Sequence, residues 1–168
     1  QGVFAGYDLA PMTNFMEKLR MIKDASEIAT IRKACSISDR AFADMLDFIK
    51  PGQTTELQVA NFLDFRMREY GASGVSFETI AASGYRSAMP HGVASEKVIQ
   101  SGENLTLDFG CYYNHYVSDM TRTIHIGDTT DEEREIYDVV LRANQAVIDS
   151  VKTGMTRRDY DKLARECD

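Results

Sequence analysis

A hinge motif that occurs twice sets the tightest limit on how this chain can fold. Ile49-Lys50-Pro51-Gly52-Gln53-Thr54 recurs as Val151-Lys152-Thr153-Gly154-Met155-Thr156. Each copy follows a long amphipathic helix pattern and precedes a second helix start. Such self-similarity indicates two related helix–helix–strand units that pack as a pseudo-twofold pair. A single unit would leave its apolar face uncovered. The other reading is coincidence in a short hinge, because Gly and Thr are common helix-end residues. In the first copy the second helix leads on into strands. In the second copy the chain stops at Asp168, inside the helix pattern.

The first long helix is expected to begin at Asp24, with Glu27 at capping-box spacing. Ile28, Ile31, Cys35, Ser38, Phe42, Met45 and Ile49 recur every three or four residues, and Pro51-Gly52 ends the pattern. Thr55 and Gln58 form a second capping box, followed by Leu57, Ala60, Leu63, Met67 and Tyr70 until Gly71. Thr130 opens a third helix with a stripe of Ile136, Val140, Ala143, Val147 and Val151. Ser76–Ser83, Leu105–Tyr113 and Tyr116–Ile126 read as three strands. Residues 1–23 have no clear period and read as a strand or linker. The pattern is α+β.

Two carboxylates interrupt apolar strand patterns. Asp108 sits in Leu105-Thr106-Leu107-Asp108-Phe109-Gly110, and Asp119 in Tyr116-Val117-Ser118-Asp119-Met120-Thr121. A bare carboxylate in such a setting is costly unless it is paired, hydrogen-bonded or bound to a cation. A two-residue turn at Tyr113-Asn114 would set Asp108 directly opposite Asp119, where a pair of hard cations could offset their repulsion. The alternative is two unrelated aspartates, one capping a turn and one at a strand edge. His91 lies in Met89-Pro90-His91-Gly92, a loop framed by Pro and Gly. There it is either a hydrogen-bond donor to a developing oxyanion or a surface turn histidine. His115 and His125 complete no ligand spacing. Phosphate-binding glycine loops and the Gly-x-Ser-x-Gly nucleophile elbow are absent from the sequence.

The net charge of −7 argues against nucleic-acid partners, which need a basic surface. It fits ordinary solubility, and equally a site that gathers carboxylates around cations. Cys35, Cys111 and Cys167 are widely spaced with no Cys-x-x-Cys pair, so a thiolate zinc site is not expected. Reduced thiols and a cytoplasmic location are expected instead. No apolar run approaches the roughly 20 residues needed to span a bilayer. Gln1–Ala10 shows no secretory pattern, although a leader removed from upstream would leave no trace here.

Taken in order, four segments resemble the pita-bread metallopeptidases, and within them the Xaa-Pro dipeptidase (prolidase) and aminopeptidase P family. These are Phe77-Glu78-Thr79-Ile80-Ala81-Ala82-Ser83-Gly84, Met89-Pro90-His91-Gly92, Leu107-Asp108-Phe109-Gly110 and Ser118-Asp119-Met120-Thr121-Arg122-Thr123. Arg20-Met21-Ile22-Lys23 with Glu27-Ile28 looks like the family's entry into its catalytic domain. The resemblance implies an α+β pita-bread fold with only the first part of the duplicated domain present. Residues 1–23 would be a linker from a missing N-terminal domain, and 24–168 a partial catalytic domain.

It also implies roles. Asp108 looks like the bidentate carboxylate of one metal, Asp119 like the carboxylate bridging two, and His91 like the active-site histidine near the scissile bond. The ions would be Mn²⁺ foremost, with Co²⁺ or Zn²⁺ able to occupy such sites. They would activate water against the peptide bond before proline. The implied partners are an Xaa-Pro peptide and a second copy in a homodimer, with no nucleic acid and no membrane. A further histidine and two glutamates of the family pattern are missing, so this chain alone is expected to be inactive and to bind metal weakly. His115 stands where the family usually has Gly. Two alternatives are a methionine aminopeptidase and a non-catalytic pita-bread module that binds a protein partner. The Leu-Asp-Phe-Gly segment and Arg122 favour the proline-specific branch over the former, and the retained Asp108, Asp119 and His91 weigh against the latter.

Overall fold

A computed structural model describes residues 2–8 and 10–166. Cys167 and Asp168 lie outside the described residues. Five helices, α1 (Phe15–Met21), α2 (Ala25–Phe48), α3 (Glu56–Glu69), α4 (Asp131–Ser150) and α5 (Arg157–Arg165), accompany six strands. The strands are β1 (Gly74–Val75), β2 (Ile80–Ser83), β3 (Glu103–Phe109), β4 (Cys111–Tyr113), β5 (Tyr116–Val117) and β6 (Met120–Ile126). The first segment is thus partly helical, with α1 where its pattern suggested strand or linker.

The helix starts follow their caps. Asp24 accepts from the amides of Ser26 and Glu27 while Glu27 reaches back, and Thr55 with Gln58 does the same for α3. Thr130 with Glu133 caps α4, and Thr156 with Asp159 caps α5. The two hinges are alike in form: each long helix ends in an extended residue, Ile49 or Val151, before a left-handed glycine, Gly52 or Gly154. The first is one residue longer, because Thr54 turns inward to accept from the Lys50 amide and Thr55 takes over as cap.

α2 and α3 lie against two small antiparallel sheets, ordered β2-β3-β6 and β1-β4-β5. Ala34, Ile37, Ala41 and Met45 of α2 meet Val59, Leu63 and Met67 of α3, with Leu105, Leu107 and Phe109 beneath. Alternation along β3 sends these three apolar side chains to the helices and Thr106 and Asp108 to the opposite face. The α4–α5 pair packs chiefly on itself. Ile136, Val140 and Val151 of its stripe remain more than half exposed while Ala143 and Val147 are half-buried, so this second hairpin leaves much of its apolar face uncovered.

Two of the long strands expected from sequence are each broken in the middle. β3 passes into β4 at Gly110, and β5 into β6 at Ser118-Asp119. A Cβ at Gly110 would fall 2.0 Å from the Ser118 carbonyl oxygen, so only glycine permits the approach. The Ser118 carbonyl turns away to accept from Ser76 Oγ at 2.9 Å, and Ser118 Oγ takes its place as acceptor for the Cys111 amide, also at 2.9 Å. Ser38 of α2 holds that hydroxyl at 2.7 Å. Tyr116 donates to Glu27, pinning the hairpin to the start of α2.

The register also differs from the expected one. Asp108 pairs with Thr121 rather than Asp119, and Phe109 pairs with Met120. Tyr113 pairs with Tyr116, so the turn is Asn114-His115, not Tyr113-Asn114. Both turn residues have positive φ, 45° and 68°. A two-residue turn of this kind needs two left-handed residues; Asn and His tolerate that state far better than Tyr.

The steric argument at Gly110 predicts that Gly110→Ala lowers stability by about 3 kcal/mol or more. Gly74→Ala is the control: its new Cβ would meet only Arg68 Nη2, at 3.7 Å, and the cost should stay under about 1 kcal/mol. Urea unfolding of both variants beside the parent chain checks this.

Candidate functional site

A cleft of about 380 Å³ is lined by Phe77, Glu78, Ile80, His91, Val93, Asp108 and Asp119. The fold therefore brings together all three of the residues singled out in sequence, each by a different local device. Asp108 projects from the face of β3 that points away from the helices, half-buried, with Thr121 Oγ1 donating to its Oδ1 at 3.2 Å. Asp119 sits in the break between β5 and β6 and is exposed. The shared register would place it across from Gly110, so it is a diagonal neighbour of Asp108 rather than its direct partner. Such neighbours have Cα atoms about 7–8 Å apart, close enough to share a cation yet less repulsive than an opposed pair.

His91 comes from the long excursion between β2 and β3. A 3-10 turn, Gly84–Ala88, leads into Met89-Pro90-His91. The Val93 amide then donates to the His91 carbonyl at 2.9 Å, and Val93 bridges back to Ile80. Ile80 is also the cross-strand partner of Asp108, so the loop and the carboxylate are anchored on one residue.

Two hard oxygen donors and an imidazole suit a divalent cation of the Mg²⁺, Mn²⁺ or Zn²⁺ type. Among the described residues, however, no group of three or more His, Cys, Asp or Glu side chains is arranged to hold a metal ion. Asp108 and Asp119 therefore amount to part of a coordination shell. His125 is occupied elsewhere, with Asn104 Oδ1 on one ring nitrogen and the Asp128 carbonyl on the other, each at 3.0 Å. His115 is an exposed turn residue. Cys111 is buried, its thiol 3.6 Å from the Ala34 carbonyl, in line with a structural role. Cys35 and Cys111 are both free thiols.

At the base of the loop that carries His91 the structure shows what the residue pattern hides. Glu56, which reads as an ordinary first-turn acid of α3, is fully buried. Burial alone would raise its pKa, but hydrogen bonds from Ser95 and Ser83 and the charge of Arg86 outweigh it and hold the carboxyl below its ordinary value. Lys97 joins the same network, bridging Ser83 Oγ at 2.8 Å and Glu103 at 2.7 Å. Only the clustering of Ser83, Arg86, Ser95 and Lys97 around one loop hints at this partner, and no fixed spacing encodes it. Glu78, a third carboxylate on the rim, had only its place beside Phe77 to mark it.

Asp64 of α3 lies under the same rim. Burial raises its pKa above the ordinary 3.8, more than the Thr79 hydroxyl and Arg68 lower it. The folded chain thus favours the protonated acid, and the ionised form costs stability at neutral pH. Asp64→Asn keeps an acceptor for Thr79. Its expected advantage over the parent is full above the folded-state pKa and vanishes as pH falls below 3.8. Urea midpoints of both chains between acid and neutral pH measure this.

Residues 29–167 match the model of Metallopeptidase family M24. An Xaa-Pro dipeptidase of Pyrococcus furiosus is 44% identical over 90% of this chain and 43% of its own length. Among solved structures, an Xaa-Pro dipeptidase from Bacillus anthracis superposes with a TM-score of 0.88 at 50% identity, over 93% of this chain and 44% of that one. An X-Pro aminopeptidase from Thermotoga maritima gives 0.88 at 42% identity, over 92% and 44%. The architecture is the α+β pita-bread fold, and the chain spans about half the length of the curated relatives it matches.

Proposed function

The chain belongs to metallopeptidase family M24, and from that membership we propose that it contributes Asp108, Asp119 and His91 to a site that hydrolyses the peptide bond before proline. The observation that carries this reading is the single cleft shared by those three side chains. The names of the P. furiosus and B. anthracis relatives support the substrate class. The T. maritima neighbour keeps an aminopeptidase acting on longer Xaa-Pro peptides within it.

In this reading Asp108 and Asp119 would hold two divalent ions, Mn²⁺ foremost, as part of a coordination shell that the described residues do not complete. Bound ions of this kind supply Lewis acidity, which polarises the carbonyl before proline and acidifies the attacking water. Thr121 steadies the Asp108 carboxylate through its hydroxyl. His91 donates a hydrogen bond to the oxygen of the scissile carbonyl as negative charge develops there, a contribution that grows toward the transition state. Phe77, Ile80 and Val93 form an apolar wall that keeps bulk water from the reacting bond and strengthens those polar contacts. The tertiary amide before proline has no N–H, so a site that relies on an imidazole and cations rather than on pairing that N–H suits it. The free thiols fit a reducing, cytoplasmic setting, and a homodimer is the assembly proposed for the whole protein.

The test is hydrolysis of an Xaa-Pro dipeptide and an Xaa-Pro tripeptide with added Mn²⁺ by a protein of the relatives' length. Activity should fall more than about a hundredfold in Asp119→Asn, beyond what loss of an outer-shell partner causes. Preference between the two substrates separates dipeptidase from aminopeptidase. The 168-residue chain alone should show no turnover and only weak Mn²⁺ binding by calorimetry. Release of N-terminal Met without cleavage before Pro would replace this reading with a methionine aminopeptidase.

A further inference from the structure

We propose that Glu56 is a positioning residue for His91, acting through the loop that presents the imidazole. The proposal deepens, and rests on, the reading of the cleft as an Xaa-Pro peptidase site. The Glu56 side chain is 0% exposed, and its polar partners, Ser83, Arg86 and Ser95, all lie outside the cleft lining. Both of its oxygens are spent on the excursion that carries His91. Oε1 accepts from the Ser83 amide at 2.7 Å and the Ser83 hydroxyl at 2.9 Å, where the chain leaves β2. Oε2 accepts from Arg86 Nε at 3.0 Å, and from the Ser95 amide at 3.2 Å and hydroxyl at 2.6 Å, where the chain returns.

One carboxylate therefore clasps both feet of the loop, and the clasp continues to its tip. Arg86, oriented by Glu56, donates from Nη2 to the Val93 carbonyl. Val93 in turn donates its amide to the His91 carbonyl at 2.9 Å. Gly92 leaves no slack on the inner side, since a Cβ there would meet Ala82 Cβ at 2.8 Å and the Arg86 carbonyl at 3.3 Å. His91 itself is exposed and receives no side-chain hydrogen bond among the described residues, so its placement depends on the backbone around it. A catalytic donor must stay within about 0.5 Å of its productive position, which a free loop of this length does not achieve.

A merely structural Glu56 and a positioning Glu56 differ in a double-mutant cycle. In the relatives' length protein, Glu56→Gln, which keeps size but turns a donor toward Ser83 or Ser95, should lower kcat for an Xaa-Pro dipeptide about tenfold or more with KM within about twofold. In a His91→Ala background the same change should cost less than about twofold. Glu56→Asp should recover part of the loss. In the 168-residue chain, amide exchange at Gly92–Ser95 should quicken about tenfold in Glu56→Gln while the α2 core amides stay slow.

Multiplying losses in the double variant, or unchanged loop exchange, would overturn the proposal. Should Glu56→Gln fail to fold, Arg86→Lys breaks the same clasp at one point and carries the same expectations. If the parent protein does not hydrolyse Xaa-Pro peptides at all, the functional reading falls. Loop exchange then decides the clasp by itself.

Discussion

The approach of the Ser118 carbonyl to Gly110 is the contact on which both sheets depend, because it is where one hairpin is divided between them. On one side of it β3 and β6 carry the face that bears Asp108. On the other, β4 pairs with β1 along one edge and with β5 along the other. The division would strand polar groups if nothing replaced the lost ladder bonds. Ser118 Oγ, held by Ser38, takes the Cys111 amide, and Ser76 takes the carbonyl that has swung out. The Cys111 amide and the Ser118 carbonyl are thereby both paired, as are the Ser118 amide with the Cys111 carbonyl and the Ser76 amide with the Gly110 carbonyl, which lets an irregular stretch sit inside a core. Asp119 is exposed at the cleft because it is the next residue after that rotated unit.

Helices were the most legible part of the chain. A side-chain cap is a local event between residues three apart, and Asp24-Glu27, Thr55-Gln58 and the Thr130 start all act where their spacing put them. The gathering of His91, Asp108 and Asp119 could be read only through the family resemblance of the four segments, since the residues alone left His91 equally a surface turn histidine. Strand breaks could not. Alternation through Leu105–Tyr113 continues unperturbed across Gly110, and the crowding at that glycine comes from a residue of the returning strand. The register is hidden for a related reason: the spacing of the two aspartates centres a turn on Tyr113-Asn114, but both central residues must be left-handed, a requirement His115 meets and Tyr113 does not. Glu56 was hidden because a first-turn acid is ordinarily solvated, and its burial follows only from where a distant loop crosses it.

The two helical hairpins share a hinge but not an environment. In α2–α3 the stripe is sealed by Leu105, Leu107 and Phe109. In α4–α5 it faces outward, so packing adds little and the helices lean on their capping boxes. Covering an aliphatic side chain such as Ile136 or Val140 is worth about 1.5–3 kcal/mol, so this face holds a large unclaimed share of stability.

The constant register through the divided hairpin has a bearing on how this protein can evolve. Cys111 meets Ser118 in the same frame in which Asp108 meets Thr121, so the break lengthens neither strand relative to the other. The whole returning strand is thus indexed to the two-residue turn at Asn114-His115, on the far side of the break from Asp108. A single residue gained or lost there would invert every side chain of β6 between its two faces. Thr121 would leave Asp108 and Asp119 would leave the cleft. Surface loops ordinarily absorb insertions with ease. This one, exposed and remote from the chemistry, should admit exchange among residues that tolerate positive φ but hardly any change of length.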